Sequence, residues 1–153
     1  MKRLLIVAHA PSPNTLRLRD AAKHGASHPD IEGVSVRVMA PLEATADDVL
    51  QADAILLGTT ENLGYMSGAL KDFFDRCYYP LLEHTQGLSC ALYIRAGQDG
   101  TGTRRAVEGI VTGLRWHWVQ EPLTLRGAWD EDFPRQVEEL AMTMAAGLDA
   151  GIL

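Results

Sequence analysis

The residues best suited to chemistry in this chain are neutral donors, and they fall in three short segments. "HAPSPNT" (His9 to Thr15) carries Ser12, Asn14 and Thr15; "TTENLGYMSG" (Thr59 to Gly68) carries Thr60, Glu61, Asn62, Leu63, Gly64, Tyr65 and Met66; "AGQDGTGT" (Ala96 to Thr103) carries Ala96, Gly97, Gln98 and Gly100. Glycine and small polar side chains let the main chain approach a bound molecule and point N–H groups at it. In the first segment, hydroxyl and amide donors at the start of a helix suit a doubly charged phosphate, which the free N–H groups and the positive dipole end also favour. The other two segments suit the edge of a flat heterocycle, with Tyr65 or Met66 against its face. Local readings exist beside these: Ser12 or Asn14 caps a helix that Pro13 begins, Ser67 caps the next helix, and Gly64 serves a turn. His9 either contacts phosphate or substrate from the end of its strand or serves the fold alone. Glu61 is either an acid or anchor near the ring or an ordinary loop carboxylate.

Other chemistries find less support. There is no G-x-S-x-G elbow, and Cys77 and Cys90 lie inside apolar patterns that make them core thiols. His24 and His28 are four apart, but Gly25 and Pro29 place them at a helix end, which favours solvated surface over a metal pair. The first segment has neither G-K-[ST] nor G-x-G-x-x-G, which argues against nucleoside triphosphates. A net charge of -6 with scattered basic residues leaves no nucleic-acid footprint. The apolar run in "MKRLLIVAHAP" is too short for a signal sequence, and nowhere do eighteen apolar residues run together, so a cytoplasmic protein with no membrane span is expected.

One domain over residues 1–153 is the expected organisation, and its elements follow from hydrophobic period. Short apolar runs at Leu4–Ala8, Val34–Met39, Ala54–Gly58, Cys90–Ile94 and Trp118–Leu125 read as strands. Apolar residues at spacings of three and four read as helices between and after them, most clearly Leu70, Phe73, Phe74, Cys77, Tyr78 and Leu81. Helices are likewise expected over about 15–26, 46–51, 106–114 and 133–144. Strands alternating with helices predict an α/β three-layer sandwich around a five-stranded parallel sheet of order 2-1-3-4-5. Pro122 cannot donate to a ladder, which puts the last strand at an edge. Trp116 and Trp118, two apart, share a face and pack in the core or at a dimer contact. Ligands bind such a sheet at the carboxyl ends of the strands where the winding reverses, here between strands one and three. The three donor-rich segments all emerge there.

Thr60, Gly64, Met66, Leu70, Lys71, Phe73 and Asp75 in "GTTENLGYMSGALKDFFDR" follow a T-x-x-x-G-x-M-x-x-x-[LM]-K/R-x-F-x-D pattern. This segment resembles the one after the third strand in the flavodoxin-like superfamily, particularly FMN-dependent NAD(P)H oxidoreductases and WrbA-type quinone reductases. The first segment is similar to that family's S-x-S-G-N-T phosphate loop, with Ser12, Asn14 and Thr15 at matching positions; Ala10 replaces its first hydroxyl, Pro13 its glycine, and Pro11 removes a further N–H. The resemblance implies FMN, with its phosphate at Ser12, Asn14 and Thr15 and its ring along Thr60–Met66; position at the strand ends adds His9 to the phosphate end and Ala96, Gly97, Gln98 and Gly100 to the ring edge. It further implies NADH or NADPH as electron donor, a quinone, free flavin or other small acceptor, and no catalytic side chain of the protein's own, since the flavin carries the chemistry. The alternatives are a flavodoxin-type electron carrier without a substrate and a cofactor-free binding module. If the chain assembles, a two-fold dimer is the expected form.

Overall fold

The structure is a computed structural model that describes all residues, Met1–Leu153. Strands β1 (Lys2–Ala8), β2 (Val34–Met39), β3 (Ala54–Asn62) and β5 (Ser89–Ala96) form the centre of one sheet. The order is β2-β1-β3-β5, and β6 (His117–Trp118) and β7 (Leu123–Arg126) both pair with β5 at the far edge. All of these pairings are parallel. This is the flavodoxin-like order 2-1-3-4-5 expected from the sequence, with the fifth position shared by two short strands.

The break at the fifth position corrects the single strand expected over Trp118–Leu125. After the Val119 amide, which still donates to the Cys90 carbonyl at 3.0 Å, residues 120–122 leave the ladder, and Pro122, which has no N–H to give, directly precedes β7. A second difference lies in β3, which runs on to Asn62 and turns back through β4 (Tyr65–Met66), its antiparallel partner. Much of what reads as loop after Gly58 is therefore a hairpin. Its tip is Leu63 at φ 52° and Gly64 at φ 76°, two successive left-handed residues as a two-residue type I′ turn requires.

Alternation along the strands supplies two cores. Leu5, Val7, Ile55, Leu57, Cys90, Leu92 and Ile94 face α3 (Gly68–Leu81) and α4 (Thr101–Leu114), meeting Phe73, Phe74, Cys77, Val107 and Val111. Leu4, Ile6, Leu56, Ala91 and Tyr93 face the other way, toward α1 (Pro13–Ala26) and α5 (Phe133–Asp149), whose Leu18, Ala22, Val137, Ala141 and Met144 close the second core. Each large apolar side chain buried this way contributes about 1.5–3 kcal/mol relative to exposure, so a sheet covered on both faces is the stable arrangement. The short α2 (Ala46–Leu50) adds only Val49 to the fully buried set.

Close approach of α1 to α5 depends on Gly25, where a Cβ would run into the carbonyl oxygen of Glu138. Trp116 and Trp118 both belong to the α3–α4 core, and the Trp116 indole N–H donates to Thr85 Oγ1 at 2.8 Å. Cys77 and Cys90 are buried, and burial raises both thiols, Cys90 to about 12. No helix is long and apolar enough to cross a membrane.

Candidate functional site

The segment after β1 starts where the His9 amide donates to the Gly58 carbonyl of neighbouring β3 at 2.9 Å, and it ends in a capped helix. Ser12 is the N-cap of α1: its Oγ accepts from the Thr15 amide at 3.3 Å, and Thr15 Oγ1 accepts from the Ser12 amide at 2.9 Å. The local reading of Ser12 is thus realised, with Pro13 at the first helical position as its fixed φ favours. Asn14 is exposed, and as one of the first helical residues its amide has no acceptor within the helix. No acidic residue stands in the first turn of α1, so nothing there repels an anion from the positive dipole end. His9 is partly buried, and desolvation lowers its pKa.

The β3–β4 hairpin is built by its threonines. Buried Thr59 donates to the Thr60 carbonyl at 3.0 Å and accepts from the Ser67 amide at 3.0 Å, which bends the chain into α3. Ser67 then caps α3 by accepting from the Leu70 amide at 3.1 Å. Thr60 donates to the Asn62 side-chain oxygen at 2.7 Å. At the tip, Leu63 is fully exposed and Tyr65 41% exposed, whereas Met66 is buried in the α3–α4 core and cannot lie against a ring on the outer face.

The hairpin lies directly on the third segment. Glu61 accepts from the amides of Gln98 at 3.0 Å and Gly100 at 2.8 Å, one with each carboxylate oxygen. Thr103, fully buried in the first turn of α4, donates from Oγ1 to the Tyr65 carbonyl at 2.9 Å. Gly102 allows this approach, because a Cβ there would strike the carbonyl oxygen of Gly64. Gly100, at φ 71°, turns the chain into α4, and Asp99 accepts from the Thr101 amide at 3.0 Å. The structure therefore brings the second and third segments into contact. The first is joined to them through β3. Ala96 is buried, while Gly97, Gln98 and Asp99 are exposed.

Arg95, Arg17 and Trp129, near this end of the sheet, are functional candidates that the sequence reading missed. Arg95 donates to the carbonyls of Ala96, Leu125 and Gly127 at 2.8, 3.1 and 2.8 Å, tying β5 to the end of β7. Its guanidinium lies 5.8 Å from the Trp129 ring centroid and 5.1 Å from that of Phe133. Arg17 of α1 sits 5.3 Å from the same indole and pairs with Glu131, so the segment after β7 clasps the N-terminal half of α1. An arginine inside the otherwise apolar "CALYIRA" was the available signal. The cavity beside Arg3, Ser35, Arg37 and Asp48, of about 160 Å³, lies toward the other end of β1, away from these segments. His24 and His28 face different carboxylates, Glu138 and Asp30, rather than a shared point.

The fold is shared with solved flavoproteins. A flavodoxin from the domain Archaea superposes with a TM-score of 0.80 at 17% identity, over 95% of this chain and 98% of that one. A WrbA-like flavodoxin protein from Agrobacterium tumefaciens does so with 0.73 at 14% identity over the full length of both. In sequence, a flavodoxin of Aquifex aeolicus (strain VF5) is 31% identical over 114 residues, 74% of this chain. The match spans 60% of that protein's length. The NADPH-dependent FMN reductase family matches residues 8–129, a stretch that takes in all three donor-rich segments and strands β3 and β5. On that match, with the flavodoxin-like sheet beneath it, the chain belongs to the NADPH-dependent FMN reductase family.

Proposed function

We propose that the chain is an FMN-binding oxidoreductase that takes electrons from NADPH or NADH and passes them to a quinone, a free flavin or another small acceptor. The observation that carries this reading is the family match over residues 8–129, which covers the segments that leave the carboxyl ends of β1, β3 and β5. In an open parallel sheet that is the position of the ligand crevice.

The residues present suit the phosphate end of FMN. Asn14 offers an amide and a side-chain N–H₂ at a helix start free of acidic residues. The Ser12 and Thr15 hydroxyls, now closed on each other at 2.8 Å, can turn from cap to phosphate at the cost of one local exchange. With Pro11 and Pro13 in the loop, fewer main-chain donors remain than an S-x-S-G-N-T loop offers, so these three residues and the helix dipole carry the anion. Partial burial holds His9 below the usual imidazole range, so it enters as a neutral side chain, and an adjacent dianion would draw a proton to it. At the ring end, exposed Leu63 and Tyr65 supply apolar surface and the third segment supplies amides.

FMN, when bound, supplies the redox chemistry. The chain's part is to bind the phosphate, orient the ring along the hairpin and keep one face open to donor and acceptor. Neither buried thiol enters, since burial keeps both protonated.

Titration of the purified protein with FMN, followed by flavin fluorescence, is expected to show saturable one-to-one quenching. Anaerobic mixing of the complex with NADPH should then bleach the visible flavin absorbance within seconds. Absence of quenching at high micromolar FMN would overturn the reading. The 31% identity to the Aquifex flavodoxin favours a second possibility, an electron carrier with no substrate of its own. A complex that NADPH leaves coloured but a one-electron reductant bleaches would decide for the carrier.

A further inference from the structure

We propose that Glu61 is a built-in occupant of the ring-binding edge, holding the amides that a flavin's carbonyl edge would use and releasing them when the cofactor binds. The inference rests on the FMN reading above and adds the residue that sets affinity. One Glu61 oxygen accepts from Gln98 N–H at 3.0 Å and the other from Gly100 N–H at 2.8 Å. These amides belong to "AGQDG", the segment at this end of β5, whose glycines let the main chain approach a ring closely. With the carboxylate in place, these two amides are taken, and a ring carbonyl that would use them needs a donor.

Charge explains why the carboxylate rests there. Gly100 is the N-cap of the 14-residue α4, where Asp99 already accepts from the Thr101 amide at 3.0 Å. Glu61, 39 positions before Gly100 in the chain, adds a second negative charge of the kind a helix N-terminus favours. A ring edge placed on the same amides would compete for the same partial charge.

The hairpin does not depend on this contact. Thr103 Oγ1 still donates to the Tyr65 carbonyl at 2.9 Å, and Gly64 still rests on Gly102. Thr59 and Ser67 hold the base of the hairpin as well. Glu61 is only partly buried, so its side chain can rotate into water, where the charge is solvated, while β3, β4 and α4 stay in place.

The test compares wild type, Glu61→Gln and Glu61→Ala in the full chain by FMN fluorescence titration, together with amide exchange of Gln98 and Gly100 followed by NMR. E61A is expected to bind FMN about tenfold more tightly, equivalent to about 1.4 kcal/mol. E61Q should fall between, since its one carbonyl can satisfy one amide. In the free proteins, both amides should be protected in wild type and exchange fast in E61A; FMN should protect them in both. Equal or weaker binding by E61A, with wild type still binding FMN, sinks the proposal and leaves the FMN reading standing. Failure of all three proteins to bind FMN ends both. If E61A does not fold, E61Q decides by the same rule, tighter binding supporting the proposal and equal or weaker binding overturning it.

Discussion

Tyr93 shows how a single residue can carry an unmet need. Its hydroxyl is the one buried side-chain polar atom without a hydrogen-bond partner, and burial, more than the nearby charges of Arg19 and Asp20, pushes its pKa upward. The phenol lies across Gly58, so close that a Cβ there would sit 2.5 Å from the hydroxyl oxygen. Leaving a buried hydroxyl unpaired costs about 1–3 kcal/mol. Tyr93→Phe should therefore raise the unfolding free energy by up to roughly that amount, read as a higher urea midpoint with an unchanged dependence on denaturant; a lower midpoint would mean that the hydroxyl has a stabilising partner. In sequence, Tyr93 reads only as one more apolar residue of "CALYI". Gly58 likewise reads only as a strand end, because the contact joins two strands 35 positions apart. Cap residues were more legible. Ser12 and Ser67 are recognisable from their place before helical patterns, since a cap acts within three residues of itself.

At the level of elements, the hairpin and α4 behave as one unit. Their contact rests on Gly102 and on the Thr103 bond to Tyr65. Gly102→Ala inserts a methyl group where the Gly64 carbonyl lies, so the hairpin must lift. Overpacking of this kind costs about 1–3 kcal/mol, offset in part by the better helix propensity of alanine. The expected outcome is a loss of stability in urea unfolding together with loss of protection at the Gln98 and Gly100 amides, because lifting the hairpin withdraws Glu61 from them. A variant as stable and as protected as wild type would show that the contact is slack. The sequence reads Gly64 as a turn residue and Thr59–Gly68 as a loop. It misses that the segment pairs with itself, since Leu63 in a left-handed turn position is not the asparagine or aspartate that signals such a hairpin.

For the molecule as a whole, two cores on one sheet imply that neither half opens alone. Cys77 and Cys90 both lie in the core shared by β1, β3, β5, α3 and α4, and both thiols stay protonated well above neutral pH. A thiol-reactive dye should label neither in the native protein, and should label both with the cooperative transition seen by circular dichroism in urea. Labelling of Cys77 ahead of that transition would show that α3 detaches by itself.

Local pattern by itself determined the order of the main strands and helices, the two buried faces and the parallel winding, because strand and helix periods are written in residues two to four apart. The same pattern marked the three donor-rich segments, since chain connectivity alone carries them to the ends of β1, β3 and β5. Tertiary structure decided what those segments do to one another. Glu61 on the amides of Gln98 and Gly100, Met66 turned into the core and Tyr93 across Gly58 all depend on which side chain lies opposite which in the packed fold. Such pairings arise only when segments 30 to 40 residues apart are packed together, and no property of either segment alone specifies them.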